Sequence, residues 1–340
     1  MTEFDVLVVG DANPDLLLRG DVRPRFGQEE QLLTAAELVL GGSAAITAVG
    51  CAKLGLRTAL LAAVGDDMFG TLVREQLTGV HLVSPEAAGR PTGLTVILSE
   101  PDDRAMLTLP GTISALRPEH VTAELLVRAR HVHVASLYLQ PELAKGLAGV
   151  FERAHGLGRT TSLDTNFDPS GEWAAIEDIL EHTDYFLPNA AELLAVTGAA
   201  RRRKAAGPEV GATRGEASRQ GNAAGVEMVA TPGEVAAVDR GAALEEAAAA
   251  LVQGGTTVVM KDGARGARSW WSGGECAAPG KAVEVVDATG AGDSFNAGFL
   301  AARLDGRDMA EAVRWAAVAG SLSTRAAGGT AAQATRQDLV

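Results

Sequence analysis

Asp287-Ala288-Thr289-Gly290-Ala291-Gly292-Asp293, followed by Ser294-Phe295-Asn296-Ala297-Gly298-Phe299, is where residue types and spacing point most directly to chemistry. A turn of small residues runs straight into an apolar-periodic helix. The first N–H groups of a helix have no partner within it, and the helix dipole adds partial positive charge there. Small residues at 290–292 let an anion approach that backbone, which suits a phosphoryl group in transfer. Asp293, in the first turn, lies beside that anion, where a carboxylate can accept the proton of an attacking hydroxyl. Alone, the segment reads equally well as a helix cap preceded by a glycine turn. Its partners decide.

The elements that must hold those residues alternate. Val6–Val9, His131–Ser136, Thr160–Asp164, Tyr185–Pro188 and Thr257–Lys261 are brief apolar runs, as expected of strands buried on both faces. Helical patterns occupy Ser43–Leu54, Pro141–His155, Trp173–His182, Ala190–Val196, Ala242–Val252, Gly292–Leu304 and Met309–Arg325. This alternation predicts an α/β fold, a mainly parallel sheet with helices on both sides. Residues 11–40 and 91–116 break it with short extended pieces such as Leu94–Leu98 and Arg104–Leu109. They form either edge strands or a separate small β-sheet covering a site. Residues 199–240, rich in Ala, Gly and Arg, lack an apolar period until their end and read as a flexible surface insertion. The basic run Arg201–Lys204 within it reads as a solvated face.

The 340 residues carry 30 Lys and Arg against 43 Asp and Glu, a formal charge of −13. So acidic a surface repels phosphate backbones and argues against nucleic acid as a partner. A phosphate site must then be built locally, from backbone N–H groups and a metal ion. Cys51 and Cys276 are isolated and suggest no disulfide framework. No apolar run approaches the roughly 18 residues of a membrane span, and the N-terminus has no signal-peptide pattern. The expected location is the cytoplasm. The nucleotide motifs GxxxxGK[ST], HRD with DFG, and G-x-G-x-x-G after the first strand are all missing.

The segment Asp287–Phe299 resembles the C-terminal signature of the ribokinase-like carbohydrate kinases, the PfkB family. Gly41-Gly42-Ser43 with Ala48-Val49-Gly50 and Lys53-Leu54-Gly55, followed by Val64-Gly65-Asp66-Asp67-Met68-Phe69-Gly70, resembles its N-terminal signature. The resemblance spans nearly the whole chain outside 199–240. It implies a three-layer α/β/α sandwich, formed as one kinase domain over residues 1–340, with a small β-sheet lid from 11–40 and 91–116. It implies a kinase that transfers the γ-phosphoryl group of ATP, with Mg²⁺, to a sugar hydroxyl. Asp293 matches the catalytic base, and Gly290, Ala291 and Gly292 the anion hole. Asn189 and Glu192 match the N-x-x-E motif that organises Mg²⁺, and Asp287 and Thr289 fall where members often bind a monovalent cation such as K⁺. Lys261, Gly263 and Gly266 match the segment bordering the nucleotide. Asp15, with Asn13 beside it, matches the acid that grips substrate hydroxyls. Gly41 and Gly42 match the di-glycine beneath the substrate, and Asn166 a substrate or phosphate contact. In many members the lid also forms a homodimer contact.

One position departs from that pattern. Where sugar kinases of the family commonly carry an asparagine, this chain has Ile46. Isoleucine cannot bond sugar hydroxyls, at about 1–3 kcal/mol for each missing partner. That leaves open a nucleoside as the acceptor, and a non-catalytic sugar or nucleotide sensor as a second alternative. His131 and His133 share a strand face without a third ligand, so a zinc site is not expected. Trp270 and Trp271 are expected at a sheet edge, and Tyr138 and Phe167 line either a pocket or the core.

Overall fold

Apolar runs of four to seven residues are too short for a helix, and where such a run is followed by a long helical pattern it forms a parallel strand. The structure is a computed structural model and describes residues 2–87, 89–100, 103–174, 176–206 and 237–340. Among these the strands are β1 (Phe4–Val9), β2 (Asn13–Gly20), β3 (Leu33–Gly41), β4 (Thr58–Leu61), β5 (Val80–Val83), β6 (Leu94–Ser99) and β7 (Arg104–Leu109). There follow β8 (Ala129–Ala135), β9 (Thr160–Asp164), β10 (Tyr185–Phe186), β11 (Thr257–Lys261), β12 (Ala267–Trp271) and β13 (Gly274–Ala278).

Nine of them make one sheet in the order β13-β12-β11-β10-β9-β8-β1-β4-β5. From β5 to β11 all neighbours are parallel, as expected. At the far edge β11, β12 and β13 pair antiparallel. The short links between them are too brief for a crossover and force hairpins. Trp270 and Trp271 therefore sit one strand in from the edge, which is β13.

Alternation along each strand divides the core into two faces. Val6, Val8 and Leu60 pack with the helices Ser43–Lys53, Ala291–Leu304 and Met309–Ser323. Leu7, Val9, Ala59 and Leu61 pack with Leu147–Gly156, Ala190–Ala206 and Ala237–Gln253. This is the α/β/α sandwich.

The two irregular segments supply a separate four-stranded sheet, β3-β2-β6-β7, rather than edge strands of the main one. On β2 the alternate residues Asn13, Asp15, Leu17 and Arg19 share one face, and Asn13, Asp15 and Leu17 are buried there. The small sheet covers the end of the main sheet where β1, β8, β9 and β11 terminate.

Several helix expectations are corrected. Pro141–His155 is two helices, Pro141–Ala144 and Leu147–Gly156. Of Trp173–His182 only Glu177–Leu180 is helical, because Asp168 folds the preceding chain around its carboxylate, accepting from Ser170 N at 2.8 Å and Trp173 N at 2.6 Å. The helix expected at Ala190–Val196 runs on to Ala206, and Ala237–Arg240 opens the next one. Both ends of the expected insertion are thus helical, since Ala and Arg favour helix even without an apolar period. Arg201 pairs with Glu246 at 2.8 Å, joining the two helices. Residues 207–236, the rest of that insertion, lie outside the described residues.

Candidate active site

In open parallel sheets, ligand groups gather beyond the carboxyl ends of the strands, and here those ends carry polar side chains in contact. Asp11 follows β1, Ser136 follows β8, Asp164 ends β9 with Asn166 just beyond, and Lys261 ends β11. Ser136 and Asn166 both adopt left-handed backbone, φ 56° and 54°. Such conformations are uncommon for residues with a side chain and concentrate at functional sites. Their side chains meet: Asn166 Nδ2 donates to Ser136 Oγ at 3.3 Å, and Ser136 Oγ donates to Asp11 Oδ2 at 2.9 Å.

Asp293 sits in the first turn of the helix Ala291–Leu304, whose cap Gly290 has φ 71°. A side chain at 290 would come within 2.5 Å of Gly329 Cα, so only glycine fits that turn. The amides of Gly292 and Asp293 find no backbone acceptor among the described residues. Ser43 donates a short hydrogen bond to Asp293 Oδ1. Burial first, and then the Asp164 carboxylate, push the Asp293 carboxyl up to about 7; Ser43 and Lys261 pull the other way.

Lys261 is the cation of this floor. Its ammonium donates to Asp164 Oδ2 at 2.5 Å, with 14% of the lysine side chain and 2% of the aspartate exposed. Asn296 Nδ2 donates to the same oxygen at 2.6 Å. A methyl built on Gly292 would stand 3.6 Å from the Lys261 ammonium, so the lysine borders the glycine turn itself. It lies more centrally than a nucleotide-bordering role requires.

Asn189 and Glu192 form a reciprocal cap: Asn189 N donates to Glu192 at 2.8 Å, and Glu192 N to Asn189 Oδ1 at 2.9 Å. Burial, with Asp164 nearby, raises the Glu192 carboxyl to about 7, partly offset by Lys261. Among the described residues Asn296 Oδ1 is buried without a partner. Two carboxylates and an unsatisfied amide oxygen suit a hard cation that keeps most of its waters, as magnesium does. Among the described residues no group of three or more His, Cys, Asp or Glu could enclose a metal. A fully protein-ligated ion is therefore not the fitting mode.

Asn13 and Asp15 stand on the small sheet, on its buried face. Asn13 Nδ2 donates to Asp15 Oδ1 at 3.0 Å, and burial raises the Asp15 carboxyl to about 7, Asp11 adding to the rise and Asn13 and Arg104 opposing it. Gly41 is required by this neighbour, because a Cβ there would lie 2.0–2.4 Å from the Asp15 carboxylate. Gly42 begins the helix Ser43–Lys53, whose Ala44 N donates to Asp11 Oδ1 at 2.9 Å. Ile46 does not line an open pocket. It is 2% exposed and packs beneath the turn, against Gly290 and Gly329. Buried in this way, Ile46 presents no apolar face to a nucleoside acceptor.

Asp287 and Thr289 are already engaged by the protein. Asp287 accepts from Thr289 N at 2.8 Å, from Gly328 N at 2.9 Å and from Arg19 at 3.5 Å. Arg104 donates to Thr289 Oγ1 at 3.1 Å. Gly266 packs beneath Ala278 and Gly280 in the β11–β12 turn, whereas Gly263 is exposed with open space around it. The site thus brings together all the expected residues except Gly263 and Gly266, which stand on the neighbouring turn.

The sequence reading missed Asp11, Ser43, Ser136, Asn296, Arg19 and Arg104 as site residues. Asp11 and Ser136 carried a usable signal, a polar side chain one or two residues past a strand. His131 and His133 bond Thr160 and Ser162 at 2.7 Å and are buried and kept neutral, their pKa values lowered to about 3 and about 4 by burial. Phe167 is 66% exposed at the rim, edge-on to Trp173.

The sequence profile described as "pfkB family carbohydrate kinase" matches residues 3–336. The chain is 25% identical to a ribokinase of Bacillus subtilis over 98% of both chains. It is similar in structure to a putative ribokinase II from E. coli in complex with ATP and Mg²⁺, at TM-score 0.74 and 19% identity, covering 100% of this chain and 98% of the other. An adenosine kinase from Sinorhizobium meliloti superposes as well, at TM-score 0.75 and 21% identity over 99% and 98% of the chains.

Proposed function

The chain belongs to the pfkB family of carbohydrate kinases, and from that premise we propose that it transfers the γ-phosphoryl group of ATP to a hydroxyl of a small sugar, with Asp293 as the base. ATP-dependent sugar phosphorylation follows from the family; the acceptor and the residue roles are this proposal. The observation that carries it is the placement of a partly buried carboxyl at a glycine-capped helix N-terminus, with Lys261 on the other side of the anion hole.

Asp15, oriented by Asn13, and Asn166 hold acceptor hydroxyls. The acceptor oxygen gives its proton to Asp293 as it attacks in line, and the amides of Gly292 and Asp293 with Lys261 take up charge on the moving phosphoryl group, the Ala291 amide being bonded to Ala288 O. Magnesium, held near Glu192 and Asn189 largely through water and phosphate, would neutralise charge on the ATP. The lid keeps water from the phosphoryl group. A sugar is favoured over a nucleoside because the floor is polar, whereas Ile46 faces the turn. A reaction fed by ATP fits action in the cytoplasm.

The test is ADP release by the purified protein with MgATP across sugars, sugar phosphates and nucleosides. Turnover is expected with a member of the first two groups. Turnover with nucleosides alone would overturn the acceptor reading, and binding without turnover would favour a sensor.

The lid's other face supports a homodimer. By alternation Leu16, Leu18, Leu38, Val96, Leu98 and Leu107 lie on the face away from Asp15, and none is fully buried. Light scattering should give twice the chain mass, and Leu18→Asp with Leu98→Asp should halve it. A monomeric parent protein would refute the dimer.

A further inference from the structure

The corner of the anion hole where family resemblance puts a monovalent cation is filled instead by two arginines from the lid. Arg19 on β2 is paired in register with Ser99 on β6, and Ser99 with Arg104 on β7. The three stand in one row across the lid, on the face that also carries Asp15. Arg104 reaches Thr289 Oγ1 at 3.1 Å, and Arg19 reaches Asp287 Oδ2 at 3.5 Å. The Asp287 carboxylate also accepts the amides of Thr289 and Gly328. Three N–H donors thus already crowd the carboxylate that a bare cation would need, and a guanidinium already supplies the charge. A potassium ion does not fit beside it.

We propose that Arg19 and Arg104 are a lid-borne clamp that replaces the monovalent cation beside the anion hole, so that charge arrives there only when the lid closes. The proposal rests on the kinase reading for its chemistry, although the occupancy of the corner does not. One donor of the clamp is unused: among the described residues Arg19 Nε is buried without a partner. An anion closing against this corner would satisfy it. The source of that anion is either the transferring phosphoryl group or an acidic group on the acceptor. Both make the same charge-assisted bond to a guanidinium fork.

Two measurements test the clamp. In tetramethylammonium buffer at constant ionic strength, added KCl should change kcat less than about twofold, and it should not raise the unfolding temperature. Arg19→Gln and Arg104→Gln should each lower kcat about 10²–10³-fold, and KCl should now restore part of the activity and raise the unfolding temperature. Weaker binding of a non-hydrolysable ATP analogue by the variants assigns the clamp to the phosphoryl group, and unchanged analogue binding with a raised acceptor KM assigns it to the acceptor. A parent enzyme stimulated about tenfold or more by K⁺, or variants that match the parent in kcat and in both binding measurements, would overturn the proposal. If no acceptor is turned over at all, the kinase reading fails, and the K⁺-specific thermal shift of the variants still decides whether arginine holds the corner.

Discussion

Asp293→Asn is expected to lower kcat by about 10²–10⁴-fold, the range associated with a positioned general base, while MgATP binds within a few-fold of its parent affinity. The amide has the carboxylate's shape and can still accept from the Ser43 hydroxyl, so the turn and its amides should stay in place. What it cannot do is take the acceptor's proton. In the parent, the carboxyl sits at about 7 because burial and Asp164 disfavour its charge. It must be ionised to act, so kcat/KM should rise with pH through about 7 and then level off. The stability sign runs the other way. A carboxyl raised from its unfolded value near 4 stabilises the fold while protonated, and that contribution is lost as pH rises through the folded value. Asp293→Asn should therefore unfold at a higher temperature than the parent at pH 8, by a margin that shrinks toward pH 5. Steady-state ADP release and thermal unfolding across that range check both halves. Turnover close to the parent's would remove Asp293 from the mechanism.

What the sequence made legible follows from which interactions are local. Asp293, Gly290 and Gly292 lie within one turn, and the helix-start physics that makes an anion hole acts over that same span. Five of the seven parallel strands were legible because burial on both faces leaves a short apolar run, whereas β4 and β5 went unnamed. The lid was visible as an interruption, yet its separateness was not, since pairing of β2 with β6 joins residues about eighty positions apart. Distance in the chain hides contact in the same way for Arg19 and Asp287, which are 268 residues apart. Ile46 misled for a related reason: a motif fixes which residue type is missing but not which way the replacement turns, and here it turns under Gly290. Glu192 shows the opposite case. Its carboxylate accepts locally from Asn189 N three residues away, and the same carboxyl faces Asp164 and Lys261.

Lys261→Met is expected to damage both stability and turnover, and the two losses separate its roles. Asp164 is 2% exposed, and Lys261 is its cationic partner among the described residues. Removing one member of a buried pair costs about 3–5 kcal/mol, because the remaining charge stays desolvated. Methionine keeps most of the lysine's length and packing, so the loss reports charge rather than volume. Asn296 still bonds Asp164, which should keep the fold intact and the variant measurable. For catalysis, Lys261 opposes the rise of both Glu192 and Asp293. Without it those carboxyls hold their protons to higher pH, so the rise of kcat/KM should move alkaline of the parent's. The anion hole also loses the ammonium beside Gly292, for which about 10²–10³-fold in kcat is expected, the scale of removing one charge-stabilising donor. Lys261→Arg restores charge but not the compact ammonium between Asp164 and Gly292, so it should recover stability more than turnover. Denaturant unfolding gives the first loss and pH-resolved kinetics the second. A Met variant that is less stable but keeps the parent's kcat and pH profile would make Lys261 a strut for Asp164 and leave phosphoryl stabilisation to the backbone amides alone.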